Sequence, residues 1–271
     1  MTAVGSYDAG RAHRDRESEL SRLRAQVDLS WEKEAARLVD LGLSNGASIL
    51  EVGSGPGFYT QRLAQRFPGS AITCVDIDAS LLADARRLLA GNPRLRFVEA
   101  PAESTGLPGA SFDFAVARML FQHLPDPVAA AREIGRLLKP GGRAAILDVD
   151  DDLLWILDPA PPNFEQLRTK LGEAQTSHGG NRRVGRRLWR ILSEAGLRPL
   201  SLDSVLIHSD ESGLAAFAPQ LDPGMLLPLV NAGLLAREQF EAITAGENRF
   251  LSDPESIVMM NFLLATAEKP G

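Results

Sequence analysis

One short glycine-rich stretch, SILEVGSGPGFYTQRL at residues 48–63, limits what this chain can fold into more than any other part of it. Ile49, Leu50 and Val52 form an apolar run that predicts a buried strand, and from Phe58 the apolar residues recur at helical spacing. The glycines between the two allow a backbone with positive φ and let a ligand approach the main chain closely. Amides at the start of the helix would face that ligand. The stretch therefore predicts a nucleotide site and leaves its ligand open.

Composition excludes several classes of protein. With 271 residues, of which 44% are apolar, the chain can form one large globular domain with an elaboration, or two small ones. A net charge of -6 and a pI near 5.3 disfavour a general nucleic-acid binder. Cys74 is the only cysteine, so the chain has no internal disulfide and no cysteine-based metal cluster. The polar N-terminal stretch and the absence of a long apolar run predict a cytoplasmic protein without a membrane segment.

Strand and helix patterns alternate through the first half of the chain. Further strands are predicted at AITCVDID, LRFVEA, FDFAVA and RAAILDV, with LKPGG as a turn before the last of them. Helical patterns separate them, with Asp78 as one N-cap and Pro127 in the first turn of another helix. This alternation predicts a doubly wound α/β fold with a mostly parallel sheet. Its ligand should lie beyond the carboxyl ends of the strands, near Gly53, Asp76 and Arg118.

After residue 150 the pattern becomes helical and is interrupted by DPAPPNF and SHGGN. We interpret these helices as a cap over the crevice that contributes contacts to a substrate. The predicted organisation is an N-terminal helical lid (1–45), a Rossmann-like cofactor core (46–150), substrate-side helices and cap with a strand near 200–207 (151–255), and a terminal sheet strand (256–271).

The spacing of the glycines distinguishes between nucleotides. A dinucleotide fingerprint needs a small residue three positions after its second glycine, where this chain has Phe58, and no Gly-Lys-Ser or Gly-Lys-Thr follows the turn. Asp76 lies 19 residues after Gly57, at the end of the second strand, where a carboxylate can accept both hydroxyls of a ribose. Glu51 adds a second negative charge beside the loop. A cationic ligand suits this site better than a pyrophosphate.

Four motifs in order carry a family resemblance. ILEVGSGPG, VDID, SFDFAVARMLFQHLPDP and LLKPGGRAAILDV resemble the successive motifs of class I S-adenosylmethionine-dependent methyltransferases of the small-molecule type. The resemblance implies a seven-stranded sheet whose last strand is antiparallel to the others. It also implies S-adenosylmethionine as cofactor and S-adenosylhomocysteine as product.

The resemblance also indicates which residues would contact the cofactor. Glycines of the loop would line its methionine and ribose, Asp76 would hold the ribose, and Ile77 would lie against adenine. Pro101 stands where many relatives have an acidic residue for adenine, which leaves Ala102 and Glu103 as substitutes. The full set of predicted cofactor contacts is Glu51, Gly53, Ser54, Gly55, Gly57, Asp76, Ile77, Ala102, Glu103 and Arg118, with Arg22 and Gln26 closing over the methionine end.

Methyl transfer needs an acceptor atom held about 3 Å from the methyl group, in line with the departing sulfur and in a dry pocket. It needs no metal. A general base is required only for some oxygen, nitrogen or carbon acceptors, and His123 is the candidate for that role. An alternative is that His123 caps or packs beneath its loop. The candidate substrate contacts are Tyr7, Tyr59, His178, Arg182 and Arg183, with His208 as a weaker one.

Three other functions compete with a methyltransferase acting on a small molecule, such as a secondary metabolite. A cyclase-like or binding protein could retain the cofactor and transfer no methyl group. An NAD-type oxidoreductase would need the fingerprint that Phe58 breaks. Methylation of a nucleic acid or protein is disfavoured by the acidic chain and by ARML, which stands where an NPPY-like tetrapeptide would be. The acceptor and the oligomeric state stay open.

Overall fold

A computed structural model describes residues 6–7, 13–162 and 164–271 of the chain. Its described strands are β1 (Ser48–Val52), β2 (Ala71–Asp76), β3 (Leu95–Glu99), β4 (Phe112–Arg118), β5 (Leu138–Asp148), β6 (Trp155–Asp158), β7 (Arg198–His208) and β8 (Ile257–Glu268). All of them belong to one sheet with the order β3-β2-β1-β4-β5-β8-β6, and β7 also pairs with β8.

Helices connect and cover these strands. The described α-helices are α1 (Arg16–Asp40), α2 (Phe58–Arg66), α3 (Ala79–Leu88), α4 (Pro127–Leu137), α5 (Asp151–Leu154), α6 (Phe164–Ser177), α7 (Leu188–Glu194), α8 (Ser209–Ser212), α9 (Leu227–Asn231) and α10 (Arg237–Ser252). Short 3₁₀ helices occupy Phe121–His123, Gly185–Arg187, Leu214–Gln220 and Pro223–Leu226. None of the described helices is both long enough and apolar enough to cross a lipid bilayer.

The sheet is parallel from β3 to β5, and β8 runs antiparallel to β5. Its central strands are apolar on both faces because helices cover both, as expected for parallel βαβ units. The predicted doubly wound α/β fold is confirmed, including its antiparallel last strand. The sheet differs from the implied seven strands by one, because the four-residue β6 pairs with the first part of β8.

Local capping sets where several helices begin. The Asp78 carboxylate accepts from the amides of Ser80 and Leu81 and so begins α3, as the sequence predicts. Asp126 caps α4 in the same way, with Pro127 in the first turn. LKPGG was expected to be a turn, but the structure includes it in β5. Gly141, with φ +73°, accommodates the register shift there.

Two apolar layers enclose the sheet, and a smaller cluster lies in the cap. The long helix α1 packs Trp31 and Leu38 into the layer that also contains Tyr59 and Phe262. The cap cluster is formed by Leu167, Leu226, Leu229, Leu235 and Ile243. Residues 1–5 and 8–12 of the lid predicted over 1–45 lie outside the described residues. The division into lid, core and cap remains a prediction.

Candidate functional site

The glycine turn after β1 is held against β2. The amides of Gly53 and Ser54 both donate to the Val75 carbonyl, at 2.8 and 3.1 Å, and the amide of Gly55 donates to the Asp76 carboxylate at 2.7 Å. Gly53 and Gly55 have φ of +75° and +52°, which glycine adopts without strain. A Cβ on Gly55 would meet nothing within 4 Å. Gly55 is therefore the loop glycine most open to a ligand.

Gly57 has a different role from the one that the resemblance implies. It begins α2 with φ +83°, and a Cβ at this position would lie only 2.9 Å from the Cβ of Ala85 on α3. A glycine is required at position 57 because the backbone is left-handed there and because α2 packs closely against α3. Gly57 thus supports the loop from behind, whereas the prediction placed it among the residues that line the cofactor.

Three carboxyl groups lie along the carboxyl-terminal edge of the sheet, on Glu51, Asp76 and Asp148. Burial raises the pKa of Glu51 to about 8, although Thr60 donates to it at 2.6 Å, and the charge of Asp76 raises this pKa further. Burial likewise raises the pKa of Asp148 to about 7 against hydrogen bonds from the amides of Val149 and Gln122. The pKa of Asp76 is also raised by burial. A nearby cation would favour the ionised form of all three groups.

The predicted adenine contacts lie beside Asp76. Ile77 follows Asp76 directly and is 52% exposed, which leaves an apolar side chain at the rim of the crevice. The amide of Ala100 donates to the Asp76 carbonyl at 3.0 Å, so the segment after β3 starts at the same edge. In that segment Ala102 buries its methyl group in the apolar core and Glu103 is partly exposed.

The N-terminal residues of the lid form a buried polar network. Arg22 donates to both carboxylate oxygens of Glu19, at 2.7 and 2.8 Å, and Tyr7 donates to the same carboxylate at 2.6 Å. Gln220 of the cap accepts from Arg22 at 3.2 Å and from the Gln26 amide at 3.4 Å. Because Glu19 is fully buried and matches the charge of Arg22, this arginine is not a free cation for a carboxylate in this conformation.

His123 stands at the centre of a second group of polar residues. Its ring lies 5.1 Å from the ring of Tyr7, and its Nδ1 is 3.0 Å from Ser6 Oγ and 3.1 Å from Gln175 Nε2. Burial lowers the pKa of His123 to about 3, and the charges of Arg182 and Arg22 lower it further. The imidazole is therefore neutral across the physiological range.

Hydrogen bonds of Gln175 fix the tautomer of His123. Gln175 Nε2 donates to the Gln122 carbonyl at 2.9 Å, while Gln175 Oε1 accepts from Arg182 at 3.3 Å, so the orientation of the amide is set. The same Nε2 then donates to His123 Nδ1, which leaves the proton of the neutral ring on His123 Nε2. In this tautomer His123 offers a hydrogen-bond donor, and the general base predicted from the sequence is disfavoured.

Arg182 joins the His123 group, as predicted for a substrate contact. Its Nε donates to Asp151 at 2.6 Å, and its Nη1 reaches Gln175. Arg183, the other predicted arginine, instead pairs with Asp152 on the surface and is mostly exposed. His178 is also exposed and lies near the last carbonyls of its own helix, with Nδ1 2.9 Å from the Ala174 carbonyl oxygen. The structure therefore does not bring Arg183 and His178 to the His123 group, and their contact with a substrate stays a prediction.

Arg118, a predicted cofactor contact, is held by helix α1. Its Nε donates to Glu34 at 3.1 Å, and its other nitrogens donate to Ser30 Oγ and to the side chain and carbonyl of Gln26. These donors fasten β4 to α1, because the guanidinium faces a row of polar groups one helical turn apart. Arg118 thus connects the sheet to the first helix, and its contact with the cofactor stays a prediction.

Tyr59 and His208 are also placed elsewhere. Tyr59 is 7% exposed in the apolar layer, where its ring meets Trp31 edge-on at 5.4 Å and lies under Arg118 at 5.6 Å. Burial raises its pKa. His208 faces Asp210 and Glu211 at the end of β7. Neither residue joins the group around His123.

Sequence reasoning missed Glu19, Asp148, Gln175 and Gln220. Glu19 and Arg22 stand three residues apart in one helix, a spacing that could have suggested their pairing. Asp148 ends a predicted strand, as Asp76 does, and the same edge argument applies to it. Nothing local distinguishes Gln175 or Gln220, because Gln175 contacts Gln122 and His123, more than 50 residues earlier in the chain, and Gln220 contacts Arg22, 198 residues earlier.

Comparisons with known proteins agree with this geometry. A family model described as "Methyltransferase domain" matches residues 50–146. An uncharacterised methyltransferase of Mycobacterium tuberculosis is 37% identical over 36% of this chain and 49% of its own length. A malonyl-[acyl-carrier protein] O-methyltransferase of Geobacter sulfurreducens is 29% identical over 76% of this chain and 79% of its own.

Residues 50–146 form a class I S-adenosylmethionine-dependent methyltransferase domain. The fold of the chain resembles that of Haemonchus contortus phosphoethanolamine N-methyltransferase 2 solved with S-adenosyl-L-methionine. The TM-score is 0.56 at 19% identity, over 89% of this chain and 53% of the other. The chain spans about half the length of the first curated relatives it matches. The predicted family is confirmed for residues 50–146, and the predicted cofactor is the one that this structural neighbour holds.

Proposed function

We propose that the protein transfers a methyl group from S-adenosylmethionine to a small-molecule acceptor bound between the sheet edge and the cap. One observation carries this proposal: three buried carboxyl groups with raised pKa line the edge beside the glycine loop. Burying carboxyl groups together is costly unless a cation neutralises them. A sulfonium cofactor with an ammonium group would supply such charge, whereas the pyrophosphate of NAD would be repelled.

Residues of this chain fit each part of that cofactor. In the proposed complex Gly53 and Gly55 allow the close approach to the loop, Asp76 accepts from the ribose hydroxyls, and Ile77 packs against adenine. Arg22 and Gln26 lie where a carboxylate at the methionine end would need donors. Of the five N–H groups of Arg22, two donate to Glu19 and one donates to Gln220, so two would remain for the ligand.

The acceptor side is built around His123 and Tyr7. When bound, S-adenosylmethionine supplies a methyl carbon on a positively charged sulfur, an electrophile that mainly requires an aligned acceptor. His123 Nε2–H would donate a hydrogen bond to an oxygen or nitrogen of the acceptor. The Gln175 amide keeps the ring proton on Nε2, because it donates to His123 Nδ1. The Tyr7 ring, which lies beside the His123 ring, would cover the bound acceptor, and the Tyr7 hydroxyl donates to Glu19. These residues orient the acceptor and exclude water.

Thermal shift with three ligands tests the cofactor. At about 100 times the dissociation constant, ligand binding stabilises the native state by about 2.7 kcal/mol, which raises the midpoint by roughly 5 to 10 °C. We expect S-adenosylmethionine and S-adenosylhomocysteine to give this shift and NAD to give none. Asp76→Asn should abolish it, whereas the control Asp28→Asn, in an exposed ion pair with Arg62, should retain it. A shift with NAD alone would refute the proposal.

Release of S-adenosylhomocysteine then separates a methyltransferase from a protein that only retains the cofactor. A panel of hydroxyl, amine and activated-carbon acceptors is incubated with S-adenosylmethionine, and the product is quantified by mass spectrometry. We expect turnover with at least one acceptor, and His123→Phe should raise KM for it because a donor is lost. Cofactor binding without turnover across the panel would favour the cyclase-like or binding role.

A further inference from the structure

Helix α10 turns one carboxyl group into the interior between the cap and the sheet. Four of its residues, Ile243, Gly246, Glu247 and Phe250, are buried on the inward face. Ile243 belongs to the apolar cluster of the cap, and Phe250 to the apolar layer of the sheet. Glu247, between them in the helix, is only 4% exposed. It therefore lies between the apolar cluster of the cap and the apolar layer of the sheet.

One oxygen of the Glu247 carboxyl is left unpaired. Its Oε2 is buried and has no hydrogen-bond partner among residues 6–7, 13–162 and 164–271. Burial raises the pKa of Glu247 to about 8, and the charge of Asp222 raises it further. An unpaired buried carboxyl lowers the free energy of unfolding, because its hydrogen bonds to water are lost and not replaced. Such a cost is commonly retained in proteins where the group serves a ligand.

Asp222 is the charged group whose effect on Glu247 the described part of the chain shows. Among the described segments packed against α10, Leu214–Gln220, Pro223–Leu226 and α9 have the sequences LAAFAPQ, PGML and LPLVN, which contain no charged residue, and α6 adds Leu167 to the same apolar cluster. Asp222 precedes the second of these segments and is paired in turn with Arg14 and with His13 Nε2 at 3.5 Å, just before α1. The cap surface at Glu247 therefore lies towards the start of the lid.

We propose that Glu247 binds an ammonium group on the methyl acceptor. The proposed substrate class is therefore an amine with an apolar carbon skeleton. This inference rests on the proposed function. The apolar residues around Glu247 would bury the carbon skeleton, and a cation would match both the unpaired oxygen and the negative field of Asp222. A carboxylate or phosphate at the same place would be repelled by Glu247 and by the charge of Asp222.

Stability measurements separate this role from a purely structural one. A glutamate that holds the fold together through its carboxyl would destabilise the protein when replaced. We expect Glu247→Leu to leave the urea midpoint unchanged or to raise it, because the unpaired polar group is lost. Glu241→Leu, at an exposed position on the same helix, is the matched control. A large loss of stability in Glu247→Leu alone would overturn the proposal.

Binding of a simple amine tests the ligand class directly. Hexylamine and hexanol, which share an apolar chain and differ in charge, are titrated calorimetrically with and without S-adenosylhomocysteine at pH 7.5. We expect the wild type to prefer hexylamine by about tenfold or more, the size of one charge-assisted hydrogen bond. Glu247→Gln should lose this preference, and Glu241→Gln should keep it.

The outcomes distinguish this inference from the proposed function. Equal binding of amine and alcohol, no binding of the amine, or an unchanged preference in Glu247→Gln would each refute the role of Glu247. Failure of the wild type to bind S-adenosylhomocysteine would instead refute the proposed function. In that case the amine preference measured without the cofactor product still decides the role of Glu247.

Discussion

Replacement of Glu51 by Gln should change how S-adenosylmethionine binding depends on pH. Burial raises the pKa of Glu51 to about 8, so in the free protein this carboxyl is largely protonated below that pH. With that pKa, the ionised fraction rises from about 3% at pH 6.5 to about 75% at pH 8.5. If the cationic cofactor requires the ionised form, the wild-type affinity gains about 25-fold over this range from Glu51 alone. The Glu51→Gln variant lacks this gain.

The assay is calorimetric titration of both proteins at pH 6.5, 7.5 and 8.5. The amino group of the ligand and Asp148 also titrate in this range, but they do so in both proteins. The quantity of interest is therefore the ratio of the two dissociation constants at each pH. We expect the affinity of the wild type, relative to that of Glu51→Gln, to rise about 25-fold from pH 6.5 to pH 8.5, in proportion to the ionised fraction of Glu51. A ratio that stays constant would show that Glu51 does not ionise on binding.

Three further predictions concern the framework of the site. Gly57→Ala should lower the free energy of unfolding by about 1–3 kcal/mol more than Gly55→Ala does, measured with urea, because only the first adds a contact with α3. Arg118→Met should cost about 3–5 kcal/mol by leaving Glu34 buried without its partner, whereas Arg62→Met, in an exposed pair, should cost at most about 1 kcal/mol. The imidazole NMR signals of His123 should not titrate between pH 5 and 8, because its pKa is lowered to about 3; a midpoint near 6.5 would refute the burial argument.

Local signals were sufficient for most of the fold. Apolar runs of four to six residues and helical periodicity predict the strands and helices of the first half, and Asp78 predicts the start of α3. The short β6 could not be predicted, because Ile156 is exposed and only pairing with β8 makes the segment a strand. Similarly, the proline and glycines of LKPGG predict a turn, although the segment forms the first part of β5.

The site was harder to predict because side-chain direction depends on distant packing. Arg118 ends β4 at the expected edge, but the direction of its guanidinium is set by its hydrogen bond to Glu34, which lies 84 residues earlier in the chain. The tautomer of His123 depends on Gln175, and the neutralisation of Arg22 depends on Glu19 and the cap. Tyr7 and Arg182 were predicted near a substrate, and the structure brings both to His123.

The pairing of β5 with β8 makes residues 149–256 a connection between two neighbouring strands. Asp148 stands opposite Leu263 in that pairing, so the chain leaves the sheet at β5 and its last strand returns beside it. Gln175, Arg182 and Glu247 all lie in this connection, which also contains β7, itself paired with β8. A different connecting segment with similar ends could be grafted between β5 and β8 while the glycine loop keeps its register with β2. We expect such a graft to change the proposed acceptor contacts separately from the proposed cofactor contacts.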